Sequence, residues 1–302
     1  MSVLRRAGWL AALPLVFAAC SSGASATPPP TAPLAVAASP SAMAAESSMS
    51  PGMSEVAMSP GMSELPMSSE LAGLNWKVAV SGVASGATVT DNAVTINVVP
   101  TGYTFSCAEA GKPNLPTIGH YHVELDHALV NMYCTPSATI SLQNVDPGMH
   151  TLTVIPATDS HDELTAAAVS VDFTYQPTNP LPPISALANP GTPTIQIISP
   201  APGTTVSGDF TIKVVITNFT ASAALFGKPN LAGYGHWHLN VDSTTAGMMG
   251  MATMLGMSGS DTFQGSTEGL SPGPHTFFAQ LVDDQHAPLN PPVLAPIQLV
   301  VQ

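Results

Sequence analysis

Two short stretches carry the residues best suited to chemistry, and one nearly copies the other: GHYHVELD at 119–126 and GHWHLNVD at 235–242. Read as strands, alternate side chains share a face, so His236, His238, Asn240 and Asp242 point one way and Trp237, Leu239 and Val241 the other. Histidines two apart on one strand have Cα atoms about 6.6 Å apart, close enough for both imidazoles to reach one ion at metal–nitrogen bonds of about 2.0 Å. His120 and His122 offer the same pair in the first copy. A third histidine follows in each copy, His161 in DSH and His286 in DQH, at the turn after the strand that PGxHT opens. It could complete each set, with Asp159 or Asp284 beside it. The chemistry implied is capture of copper or zinc by imidazole. The remaining equivalent pair, His150 and His275 in PGMHT and PGPHT, sits at a strand entrance, where a hydrogen-bonding ring can tie a corner together. Those two are expected to be structural.

The repeat extends well beyond the histidines. SGATVTDNAVTINVV at 85–99 matches PGTTVSGDFTIKVVI at 202–216, and GKPNL recurs at 111 and 227. Nine extra residues in the second copy are expected within GMMGMATMLGMSGSD, a loop carrying Met248, Met249, Met251, Met254 and Met257 as candidate soft ligands for Cu(I). Alternation is plain in Val94–Val98, His122–Asp126, Thr151–Ile155 and Val169–Phe173. With 30 prolines, 24 glycines and 8% charged residues, the composition suits short strands and turns. Each copy opens with a turn and strand of the form Ser/Pro-Gly-x-Thr-Val and closes with PGxHT leading into an alternating strand, which resembles immunoglobulin- or fibronectin-like sandwiches, so the expected fold class is all-β, two such sandwiches in tandem after a disordered N-terminal tether.

The expected organisation is a signal peptide at 1–20, an Ala/Ser/Pro/Met-rich tether at 21–72, a first sandwich at 73–177, a Pro-rich linker at 178–191 and a second sandwich at 192–302. The tether has too few large apolar residues to order itself, and repeats MSPGMSE twice. Its methionines read as low-complexity drift, a loose copper-collecting arm or an oxidant sink. Residues 1–20 have a basic start, a short apolar run and small residues before Cys20, the pattern of an export signal. Cleavage after Ala26 would instead release a secreted protein. Cys107 and Cys134 have no counterparts in the second copy and are expected to form a disulfide in an oxidising compartment, a thiolate contribution to a metal site being the other reading.

Six Lys+Arg against 19 Asp+Glu, with both arginines at positions 5 and 6, cannot neutralise a phosphate backbone. Nucleic acid is excluded as a partner. No Gly-x-Ser-x-Gly, HExxH, phosphate loop or dinucleotide fingerprint occurs, so the chain is not read as an enzyme.

The ending Phe17-Ala18-Ala19-Cys20 resembles the bacterial lipoprotein signal, which implies lipidation of Cys20 and a membrane anchor facing outside the cytoplasm. The GHxHxxxD, PGxHT and DxH landmarks resemble a family of His-rich exported bacterial domains of unknown function; that likeness covers both copies and implies no activity. Asp-x-His beside methionines is similar to exported copper-carrier sandwiches. A sandwich bearing HxH also resembles copper-zinc superoxide dismutase, but the exported chain lacks an arginine to guide an anion and a second clustered site for a bridged metal pair. The leading expectation is a lipid-anchored protein binding copper or zinc through His120, His122, His161, His236, His238 and His286. The alternative is a metal-free surface module that spaces or binds a protein or glycan partner.

Overall fold

A computed structural model describes residues 73–302. The expected signal peptide, the expected lipidation at Cys20 and the expected tether lie outside the described residues. Among the described residues no helix is long and apolar enough to cross a membrane.

The first copy contributes β1 (Lys77–Ser81), β2 (Ala87–Val89), β3 (Ala93–Thr101), β4 (Thr104–Phe105), β5 (Ile118–Leu125), β6 (Ala128–Tyr133), β7 (Ser137–Ser141), β8 (Gly148–Ala157) and β9 (Val169–Tyr175). One sheet runs β1-β3-β7 and the other β2-β9-β8-β5-β4. The second copy repeats this with β10 (Thr194–Ser199), β11 (Thr205–Val206), β12 (Asp209–Thr217), β13 (Thr220–Ala221), β14 (Tyr234–Val241), β15 (Met254–Ser258), β16 (Thr262–Ser266), β17 (Gly273–Val282) and β18 (Leu294–Val301). Its sheets run β10-β12-β16 and β11-β18-β17-β14-β13. In both copies a short early strand lies parallel to the last one, β2 on β9 and β11 on β18, and the other long pairings are antiparallel. This is the strand order of an immunoglobulin-like sandwich, so the chain is all-β with two such units in tandem.

The cores follow the alternation. Val94, Ile96 and Val98 of β3 meet Tyr121, Val123 and Leu125 of β5 and Leu152 and Val154 of β8 in one buried cluster. Phe210, Ile212 and Val214 meet Trp237, Leu239, Val241, Phe277 and Ala279 in the other. Cys107 and Cys134 are disulfide-bonded with Cα atoms 5.3 Å apart, joining the loop after β4 to the end of β6. By the chain-entropy estimate, closing a loop of this length stabilises the fold by about 3.5 kcal/mol. The extra residues of the second copy lie between β14 and β15, where a 3₁₀ segment spans Met248–Thr253.

The Pro-rich connector is pinned at several points. Asn144 holds Ile184 through both its amide groups, Gln143 Nε2–H donates to Pro182 O, and Leu187 N–H donates to Ala232 O. Each end is thereby fastened to a sandwich.

Candidate metal centre

The HxH strands β5 and β14 are interior strands of their larger sheets, paired on both sides. β5 has β8 along one side, with β4 and β6 sharing the other; β14 is flanked in the same way by β17, β13 and β15. Glycine precedes HxH in both copies because nothing else fits. A Cβ at Gly119 would lie 2.6 Å from Ala157 O and from the Trp76 ring, and one at Gly235 would collide with Val282 O. The turn after β8 brings His161 back over His120 and His122, and the turn after β17 does the same with His286. His161 and His286 adopt left-handed backbone at φ 65 and 67, which aims the rings inward.

In the first triad His120 Nε2 lies 3.1 Å from His122 Nε2 and 3.0 Å from His161 Nδ1, and the third side is 3.4 Å. In the second, His236 Nε2 lies 3.1 Å from His238 Nε2 and 2.9 Å from His286 Nδ1, with a third side of 3.5 Å. Three nitrogens bound tetrahedrally at 2.0–2.1 Å would stand about 3.3 Å apart. Both triangles have that size.

Tautomers sharpen the reading. His161 Nε2–H donates to Met254 O at 2.7 Å and His122 Nδ1–H donates to Glu163 Oε1 at 2.7 Å, so on each ring the outward nitrogen carries the hydrogen-bonding proton and the inward one is left to present a lone pair. At most His120 can place a proton among the three, and its Nδ1 has no partner either way. In the second triad His286 Nε2–H donates to Leu129 O at 2.8 Å, and His236 Nδ1 is likewise without a partner. All six rings are at most 4% exposed. Burial, followed by the neighbouring imidazoles, holds His120, His236 and His238 well below the ordinary histidine range. Burial likewise takes His161 down to about 3 and His286 to about 4. These five rings are neutral at pH 7 and, with His122, form two sets of converging nitrogens that could hold a metal ion.

The two sandwiches complete each other's sites. Met254 belongs to β15 of the second sandwich and accepts from His161 of the first; Leu129 belongs to β6 of the first and accepts from His286 of the second. The GKPNL loops make the matching contacts, Gly111 against the Met254 carbonyl and Gly227 against the Leu129 carbonyl. Lys112 Nζ donates across the same boundary to Ser266 O at 3.1 Å and to Glu268 O. Phe226 from the second copy buries in the first copy's core cluster.

Several expectations need correction. Both faces of the HxH strand are buried from His236 through Val241, the histidine face being covered by the turn carrying the third histidine and by the other sandwich. Asp159 and Asp284 do not join the triads. Each ties down a GKPNL loop, Asp159 Oδ2 accepting from Leu115 N–H at 2.9 Å and Asp284 Oδ2 from Leu231 N–H at 3.0 Å. Met251 and Met254, expected as soft ligands, bury in an apolar cluster with Ala110 and Met132, with Met257 packed against it. Their thioethers serve as packing between the sandwiches. Met248 and Met249 lie in the 3₁₀ segment that leads to them. The cysteines, paired with each other, offer no thiolate.

His150 and His275 are corner residues. His275 Nδ1–H donates to Asp242 Oδ2 at 2.6 Å and Nε2–H to Ser271 O at 2.8 Å, while Asp242 Oδ1 accepts from Thr276 N–H. His150 makes the same bonds to Asp126 and Asp146 O. With an acceptor on each nitrogen, His275 is suited to the imidazolium form. Burial opposes the charge, but the hydrogen bonds to Asp242 and Ser271 and the Asp242 charge outweigh it and raise the ring above its ordinary 6.5. A raised folded-state value means stability present in full below about pH 6.5 and lost as pH rises through that higher value. The urea midpoint is therefore expected to fall as pH rises above about 6.5 more steeply for the natural chain than for His275→Gln; parallel curves would show the corner does not titrate.

Glu163 is the residue the sequence reading missed. Its carboxylate fixes His122, and the signal lay in its place two residues after His161. Leu129 and Met254 act through backbone carbonyls and leave no side-chain signal.

No family model and no curated protein matches the chain. Among solved structures it is similar to the fibronectin(III)-like modules of Clostridium thermocellum CbhA, at 11% identity over 74% of this chain and 94% of that one, with a TM-score of 0.24. It is also similar to the N-terminal four Ig domains of Dscam1 isoform 6.9, at 10% identity over 75% of this chain and 46% of that one, TM-score 0.20. The BSP domain of a biofilm associated protein matches at 12% identity over 75% and 29% of the two chains, TM-score 0.21. Likenesses at this level carry no functional argument; the sandwich assignment rests on the strand order and the site on its own geometry.

Proposed function

We propose that this chain is an exported, lipid-anchored metal-binding protein rather than an enzyme, holding copper or zinc in two triads, His120/His122/His161 and His236/His238/His286. The observation that carries the reading is the inward convergence of three imidazole nitrogens at 2.9–3.5 Å in each copy, with the outer N–H of the third histidine committed to a carbonyl. Neutral imidazole suits both metals, and no carboxylate belongs to either triad. Three protein ligands leave a further coordination position for water or an exchange partner, as handing an ion on would require. Export and the Cys20 anchor rest on the signal-like N-terminus and on the disulfide, a bond typical of oxidising compartments.

The test is metal content and titration of the untagged full chain with Zn(II), Cu(II) and Cu(I). Two equivalents are expected for at least one of these ions, with His236→Ala/His238→Ala retaining one. Binding that the double variant leaves unchanged, together with an unchanged His120→Ala/His122→Ala result, would overturn the assignment.

A further inference from the structure

The triads are copies of each other, but their surroundings are not. Equivalence of position is fixed by the backbone: an isolated bridge joins Ala157 to Glu163 in the first sandwich and Val282 to Pro288 in the second. Where the first site has a carboxylate accepting His122 Nδ1–H at 2.7 Å, the second has proline. Two residues beyond the HxH pair, on the same strand face, the first site has half-buried Glu124 and the second has Asn240. Asn240 is 1% exposed and its Oδ1 has no partner. The second copy's turn carries Asp283, but its oxygens are occupied by Asn230 Nδ2–H and by the N–H groups of Gln285 and Ala287. It bonds no triad ring.

We propose that the two sites are graded, the first triad being a retaining site for a divalent cation and the second a weaker, exchanging site, with Glu163 as the positioning residue that sets the difference and Glu124 as a further carboxylate on the same strand face. This rests on the metal-binding reading and refines it. A carboxylate hydrogen-bonded to a ligating histidine fixes its tautomer, raises its basicity and typically changes metal affinity 10- to 100-fold. It also neutralises part of the charge that a buried dication brings into a neutral imidazole set, where uncompensated charge is costly. A singly charged ion gains half as much Coulomb attraction from the same carboxylates, so the grading is steeper for Zn(II) and Cu(II) than for Cu(I). One chain would then hold one ion while passing another.

The experiment is competitive Zn(II) titration of the full chain with a chelating indicator, repeated with Cu(I). Two Zn(II) steps at least tenfold apart are expected, the weaker one absent in His236→Ala/His238→Ala. Glu163→Gln should bring the steps within about threefold, and Pro288→Glu should tighten the weaker step. A purely structural role for Glu163 would predict neither the gain from Pro288→Glu nor a shift in the Co(II) absorption of the first triad in Glu163→Gln. Zn(II) steps of equal affinity in the natural chain, or a gap that Glu163→Gln leaves intact, would overturn the grading while leaving metal binding standing. Absence of binding by any variant would instead remove the reading beneath it. Should a histidine pair variant fail to fold, the Glu163 and Pro288 variants, which leave both triads whole, decide the matter.

Discussion

Replacing Gly111 with alanine is expected to destabilise the chain by about 2–4 kcal/mol and to weaken binding at the first triad at least tenfold, although Gly111 touches no imidazole. At φ 75 an L side chain carries a left-handed penalty of about 1–2 kcal/mol. The new Cβ would also stand 2.5 Å from the Met254 carbonyl carbon and oxygen, and relieving overpacking of that kind costs about 1–3 kcal/mol. The relief must come from moving β15, and with it the carbonyl that accepts His161 Nε2–H. Released from that bond, His161 can take the other tautomer or rotate, and the triangle opens. Gly227→Ala should act in mirror image, through Leu129 O and His286, on the second triad. Urea unfolding with parallel Zn(II) titration of both variants checks this. Loss of stability with unchanged affinity at the matching site would mean that the docked carbonyl does not hold the third ligand.

That coupling shows where a sequence is legible and where it is not. Period-two patterning places Val94, Ile96 and Val98 inward, and repeat alignment pairs every triad histidine with its counterpart, because both depend on residue type and spacing alone. Burial of the histidine face depends on a third sandwich layer supplied by the other copy, which no single strand's alternation can report. The same docking turns Met251 and Met254 from candidate ligands into packing, and gives the backbones of Leu129 and Met254 a role that any side chain there would permit. Asp159 and Asp284 looked like ligands because Asp-x-His puts carboxylate and ring two residues apart. On a left-handed turn the two side chains diverge, one toward the triad and the other toward the GKPNL loop. Glu163 was readable in principle, as the carboxylate that one repeat has and the other lacks.

Trp237→Ala is expected to cost about 3–5 kcal/mol, the range for emptying a fully buried aromatic site, and to weaken ion binding at the second triad. Trp237 occupies the reverse face of β14, between the two ligands His236 and His238, and is completely buried. Its Nε1–H donates to Ser260 O at 2.7 Å, and its ring meets Phe263 edge-on at 6.1 Å. In the first sandwich Tyr121 does the same work, its hydroxyl donating to Thr135 O at 2.9 Å. Both rings wedge the HxH strand outward from the core, which holds two imidazoles at a fixed height against the returning turn. Without the wedge β14 can settle inward and the second triangle loosens, so ion and indole stabilise the same strand position from opposite faces. An ion that binds only the folded state adds about 2.7 kcal/mol at a hundredfold excess over its dissociation constant. Thermal or urea unfolding of Trp237→Ala with and without Zn(II) should therefore show a large deficit that widens on loading, because the loosened triad gains less from the ion than the natural one, and His236→Ala/His238→Ala in the same background should lose what recovery the second triad still provides. Equal recovery in both would place the stabilising ion somewhere other than the second triad.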